Sequence, residues 1–122
     1  MAYDRENVFA KILRGEMPCS KRHETDWALA FDDIAPKTPV HVLVIPKGAY
    51  VDFNDFTANA SAEEQAGFWQ AVRETADICG VGADGFRLTT NNGETAGQIV
   101  FHFHVHIFGG RPLGRMVRSD DG

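Results

Sequence analysis

The chain has 122 residues, 43% hydrophobic and 24% charged, with a net charge of −5. That length and balance describe one globular domain with its own core, and they exclude a disordered or fibrous chain. The acidic balance and the lack of a Lys/Arg stripe exclude polyanion binding through a broad basic face, so nucleic acid is not an expected partner. No apolar run is long enough to span a bilayer, and the charged start "MAYDRENVFAK" lacks the apolar stretch of a secretory signal. The expected location is therefore the cytoplasm. Cys19 and Cys79 lie far apart in no CxxC arrangement and read as reduced thiols.

In chain order, "ENVFAKILRG" places Val8, Phe9, Ile12 and Leu13 at helical spacing, with Gly15 as a stop. "WALAFDDI" alternates Trp27, Leu29 and Phe31 on one side and predicts a strand. "TPVHVLVIPKG" predicts a β-branched strand closed by Pro46-Lys47-Gly48. "SAEEQAGFWQAVRETADICG" predicts the long helix. Ser61 and Glu64 form a capping box, Phe68, Val72, Ala76 and Cys79 share a face, and Gly80 ends it. Two further strands, "GFRLTTN" and "IVFHFHVHIF", flank the loop "NGETAGQ". The order implies an α+β fold: an antiparallel sheet of about five strands with one long and one short helix.

Three of the five histidines, His102, His104 and His106, occupy alternate positions of the last strand. Alternation puts them on one face with Gln98 and Val100, and puts Phe101, Phe103, Val105 and Ile107 on the other. The apolar set would pack on the long helix, leaving the histidines displayed in a row. Such a row has three readings. Neighbouring histidines about 7 Å apart at Cα could share a metal with a third ligand such as His41, although the outer two are about 13 Å apart, too far for one tetrahedral ion. A purely structural row needs partners for every buried ring nitrogen. Catalysis at phosphorus needs a nucleophilic imidazole, an acceptor fixing its tautomer, and neighbours that stabilise charge on phosphoryl oxygens. The loop with Gly93 and Gly97 can turn backbone N–H groups toward an anion. That third reading requires neither metal nor lysine.

"QIVFHFHVHIF" resembles the alternating histidine motif of the histidine triad (HIT) nucleotide hydrolases and transferases. "AFDDIAPKTPVHVLVIPK" is similar to the family's ribose-binding segment and "RLTTNNGETAGQ" to its phosphate loop. The resemblance implies a single HIT domain over residues 7–114 with a tail at 115–122. The compact length and the "GGRPLG" ending look most like the Hint branch, purine nucleoside phosphoramidases. It implies His104 as nucleophile, oriented by the main-chain carbonyl of His102. His106 would bond the phosphate or leaving group, and His41 with the His102 side chain would support the network. Asp33 would bind the ribose. Ile34, Phe9 and Ile12 would line the base pocket, and Asn91, Gly97, Gln98, Ile99 and Val100 would hold the phosphate. Taken alone, Asp33 is also a turn residue before Ala35-Pro36, and His41 a core histidine. His23 matches no motif and reads as surface.

The implied activity is hydrolysis of AMP-type nucleoside 5′-phosphoramidates through a nucleotidyl-histidine, with no cofactor and no metal. Dinucleoside polyphosphate hydrolysis, or a nucleotide-binding module with incidental turnover, are the alternatives. The family implies a homodimer. Two departures stand out. Ile99 replaces the hydroxyl residue common after the loop glutamine, and Asn7 and Ala10 replace a cysteine pair that helps bind structural zinc in some bacterial relatives.

Overall fold

The computed structural model describes residues 1–116. The expected tail at 115–122 falls mostly outside the described residues. Helix α1 is Val8–Leu13, and strands β1, β2 and β3 are Lys21–Glu24, Ala28–Asp32 and Val40–Pro46. Helices α2, Phe53–Asn59, and α3, Ala62–Ile78, follow, then β4, Arg87–Thr89, a 3-10 turn, Glu94–Ala96, and β5, Val105–Gly109. The sheet is antiparallel throughout, in the order β1-β2-β3-β5-β4. Among the described residues, no helix is long and apolar enough to cross a membrane.

Side-chain alternation divides the core in two. On one face Ala28, Ala30, Val42, Val44, Val105 and Ile107 meet Phe68, Ala71, Val72 and Ala76 of α3. On the other, Leu29, Phe31, Leu43 and Ile45 meet Phe9, with Val8, Ile12 and Leu13 of α1 packed alongside. A six-residue helix is too short to hold itself in water, so this burial is what maintains α1. Asn7 caps it, its Oδ1 accepting from the Ala10 N–H at 2.9 Å.

Several expectations change. The second short helix, α2, was not read from the sequence; Asp52 caps it through the Asp55 N–H at 2.8 Å. The capping box of α3 is half formed: Ser61 Oγ accepts from the Glu64 N–H, but the Glu64 carboxylate accepts from the Tyr50 hydroxyl instead. Trp27 precedes β2 and does not share the face of Leu29 and Phe31. Its indole occupies the space beside Gly67 of α3, where a Cβ would lie only 2.2 Å from it. His23 is half-buried rather than surface, and its Nε2 lies 2.9 Å from Glu74 Oε1, tying the edge strand to α3.

The last strand is shorter than its pattern. Pairing begins at Val105, opposite Val44. Upstream, Phe103 N–H donates to Tyr50 O at 2.7 Å, and Gln98 Nε2 donates to Val51 O and Val100 O. Those bonds fasten residues 98–103 to the segment after β3, not to a sheet neighbour. Phe103, Val105 and Ile107 still face α3, as the alternation requires. Cys19 and Cys79 are both free thiols.

Candidate functional site

The sheet face covered by α1 carries the histidines. Their setting is not a display: His102 is fully buried and His104 only 8% exposed, while His106 is half-buried. Phe9 of α1 lies against this group, its ring edge-on to His104 at 5.0 Å between centroids and to His102 at 6.4 Å.

Hydrogen-bond partners assign each ring's tautomer, since a carbonyl can only accept and an N–H can only donate. His104 Nδ1 lies 2.7 Å from His102 O, so Nδ1 carries the proton and Nε2 keeps a free lone pair. His104 O in turn accepts from the Thr90 hydroxyl at 2.8 Å, which fixes the backbone. His41 Nδ1 accepts from the Lys37 N–H at 3.1 Å. Its Nε2–H is therefore the donor across 2.9 Å to His106 Nδ1, and His106 is left with a free Nε2–H. His102 Nε2–H donates to Pro46 O at 2.9 Å, and its Nδ1 accepts from the Tyr3 hydroxyl at 2.6 Å.

Burial holds all four imidazoles neutral, by penalising the charged form. His102 is depressed to about 4 by desolvation, against the favourable Pro46 carbonyl. His106 is depressed to about 4 by desolvation and then by His104 and His41. His104 and His41 are also lowered, chiefly by desolvation. A neutral His104 with a free Nε2 is a nucleophile near pH 7, and a neutral His106 with a free Nε2–H is a hydrogen-bond donor beside it. Their ring centroids are 5.2 Å apart.

Asp33 makes the turn its sequence context allows and also reaches His41. Oδ1 accepts from the Ala35 N–H at 2.8 Å, a local turn, while Oδ2 lies 3.4 Å from His41 Nε2. Asp33, His41 and His106 each present one ligand atom, all within 4.8 Å of one another, and are the group best placed to hold a metal ion. This is not the His102, His104 and His41 set that spacing alone suggests. His102 is excluded because both its ring nitrogens are committed elsewhere.

The glycine loop is built from within. Gly93 and Gly97 have φ of +89° and +93°, a region that disfavours side chains. Gln98 is buried, its Oε1 accepting from the Gly93 N–H at 2.8 Å and its Nε2 spent on Val51 O and Val100 O. Its side chain thus holds the loop's shape from inside, and its backbone N–H donates to Gly93 O at 3.1 Å, as the Gly97 N–H does to Glu94 O at 2.9 Å, so contact with an anion falls to the main-chain N–H groups of Ile99 and Val100. Ile99 is 87% exposed, Val100 packs beside the second core cluster, and Asn91 is half-buried. Phe9 and Ile12 join that cluster, whereas Ile34 is fully exposed.

Sequence reasoning missed four contributors. Leu43, opposite His106 in the sheet, and Phe31, edge-on to Phe9 at 5.6 Å, floor the same space; their strand alternation could have shown it. Thr89 also faces His106 across the β4–β5 pair, with a buried hydroxyl that has no partner. Tyr3, 99 residues from His102, had no local signal.

Comparison with known proteins identifies the family and the fold. A family model described as the HIT domain matches residues 14–113. An uncharacterised 13.2 kDa HIT-like protein of Azospirillum brasilense is 56% identical over 115 residues, covering 94% of each chain. The purine nucleoside phosphoramidase of Escherichia coli is 38% identical over 115 residues, covering 92% of this chain and 93% of its own. Among solved structures, a HIT family hydrolase from Clostridium thermocellum superposes with a TM-score of 0.85 at 35% identity, covering 94% of this chain and 99% of its own.

Proposed function

This chain belongs to the HIT family, and we propose that it is a nucleotide hydrolase that cleaves purine nucleoside 5′-phosphoramidates through a nucleotide covalently attached to His104. The observation that carries the reading is the pairing of His104 Nδ1 with His102 O at 2.7 Å, which leaves Nε2 unprotonated on a ring only 8% exposed. The phosphoramidase relative in E. coli supports the substrate class.

In this reading Nε2 attacks the α-phosphorus, forming a P–N bond to His104 as the bond to the leaving amine breaks. The positive charge that develops on the imidazole is shared with the His102 carbonyl through Nδ1–H. His106 Nε2–H bonds the phosphoryl oxygen or the departing nitrogen, and a proton from solvent passes to the amine as it leaves, to be returned by the water that attacks in the second step. The main-chain N–H groups of Ile99 and Val100 donate to the phosphate oxygens. Water then attacks phosphorus, the bond to Nε2 breaks, and the nucleoside 5′-monophosphate departs. The sum is substrate plus water giving monophosphate plus amine. Asp33 meets the ribose, and Phe9, Ile12 and Leu43 meet the base.

The reaction as drawn uses no metal. The lone pairs of His41 Nδ1 and His106 Nδ1 are already bonded to N–H groups, so an ion at Asp33, His41 and His106 would have to dismantle the relay that leaves His106 a donor. We place the working unit as a homodimer. The open edge β4, with Leu88 and Phe86 exposed, offers unpaired backbone for a second sheet.

The test is adenosine 5′-phosphoramidate with chelator present, following AMP release and, after an early quench, a mass gain of one AMP. Wild-type protein should show both, and His104→Ala neither. Turnover retained by His104→Ala would overturn the covalent reading. Turnover lost only with chelator would move the chemistry to the Asp33 cluster. A diadenosine polyphosphate cleaved far faster than the phosphoramidate would change the substrate class.

A further inference from the structure

We propose that Tyr3 is a positioning residue for the histidine site, one that sets His102 and, through the His102 main chain, His104. This rests on the reading of His104 as nucleophile.

His102 is fully buried, so no solvent is at hand to replace a missing partner at its ring. Pro46 O takes the Nε2 proton, and the opposite nitrogen, Nδ1, is then a bare acceptor inside the protein. The Tyr3 hydroxyl at 2.6 Å satisfies it, and the two rings also meet edge-on with centroids 5.6 Å apart. The same residue, His102, supplies the carbonyl that holds His104 Nδ1–H. The His102 ring, so held, anchors the Cα end of the peptide that carries this carbonyl, while the Phe103 N–H donating to Tyr50 O at 2.7 Å anchors its other end.

The segment carrying Tyr3 is built to deliver it. Asn7 donates from its backbone N–H and from Nδ2 to Asp4 O, at 3.2 and 2.7 Å, making a closed turn. Arg14 Nη1 donates to Arg5 O at 2.7 Å, clamping that turn to the end of α1. Asn7 then caps α1 and Phe9 follows. One short segment thus brings Tyr3 to His102 and Phe9 to His104, a spacing set by the turn between them. The matched HIT-domain region begins only at residue 14, so Tyr3 is supplied from before it.

Tyr3→Phe keeps the ring contact and removes only the hydroxyl. The expected result is a roughly ten- to hundredfold slower formation of nucleotidyl-His104 in single turnover, from misplacement of the attacking nitrogen. KM should stay within about twofold, since Tyr3 lies outside the proposed nucleotide contacts. Imidazole 15N spectra give a second, turnover-free readout. The unprotonated His102 nitrogen should move toward the position of an unbonded one, and the single Nδ1–H tautomer of His104 should become mixed. Should Tyr3→Phe fold poorly, 3-fluorotyrosine at position 3 retains the bond and changes its strength, and the His102 signal should shift in step. An unchanged adduct rate with an unchanged His104 tautomer, even with lower thermal stability, would reduce Tyr3 to a peg for the N-terminus and overturn the proposal. A wild-type protein that forms no adduct at all would overturn the nucleophile reading instead. The His104 spectra would then still decide whether Tyr3 sets its tautomer.

Discussion

The two faces of β5 and the segment leading into it share one backbone and almost nothing else. Phe103, Val105 and Ile107 are at most 1% exposed against α3 and make only apolar contacts of the kind any core makes. His102 and His104 are also buried and His106 is half-buried, and every ring is held by a named donor or acceptor. Burial of hydrocarbon is satisfied by shape and area alone. Burial of an imidazole is tolerated only if its nitrogens are paired, so each one recruits partners from elsewhere in the chain. The apolar face meets side chains of α3 and Phe56 of α2 by shape alone, whereas the histidine face takes specific partners from β3, the loop before it and the N-terminal segment.

Neighbouring substitutions should separate the two faces. His104→Ala should lower turnover by at least about 10³-fold, measured as kcat/KM, with a small change in thermal stability. Phe103→Ala, one residue away, should lose about 3–5 kcal/mol of unfolding free energy by urea titration, leaving the molecules that remain folded active. If Phe103→Ala abolished activity in fully folded protein, the division between faces would fail.

Acid tests the histidine face first, because Glu24, held at about 2 by its bonds to Lys21 and Lys47, gives up its stabilisation only as pH falls below 4.5. An ordinary histidine titrates near 6.5, and His102 in the fold near 4, so below 6.5 the unfolded chain takes up the proton that the folded site refuses. The sign is therefore a stability present in full above about pH 6.5, falling as pH drops toward 4, then levelling. For His102 the total is on the order of 3 kcal/mol. His106, also near 4, acts in the same direction. Unfolding free energy measured from pH 7.5 to 4 checks it, and a flat profile would mean that the site is wetter than its burial implies. The smallest effect concerns Ile99. Ile99→Ser should change the rate severalfold and shift preference among leaving groups, because the side chain is exposed beside the loop and its replacement restores a hydroxyl donor without disturbing packing. A panel of amine leaving groups checks this, and an unchanged ranking would remove Ile99 from the specificity surface.

Much of this molecule was legible from local pattern. The long helix announced itself through Ser61, the apolar stripe Phe68, Val72 and Ala76, and Gly80. The strand faces followed from alternation, and the histidine motif with its glycine loop carried the family. These features depend on neighbours a few residues apart, which is the range over which backbone periodicity and capping act. Misreadings arose where that range ended. Trp27 looked like a member of its strand's alternation until Gly67 of α3 opened a space on the other side. Gln98 looked like a phosphate ligand until its amide was found bracing the loop. The histidine row read as displayed because alternation says which side a residue faces, and not what covers that side. Composition, element order and the chemistry available to the site were thus decided by the sequence itself. The tautomer of each histidine, the depth of His102, and the reach of Tyr3 across 99 positions were decided only by the tertiary structure. A ring nitrogen's proton belongs to whichever partner the fold brings within 3 Å, and no spacing along the chain specifies that partner.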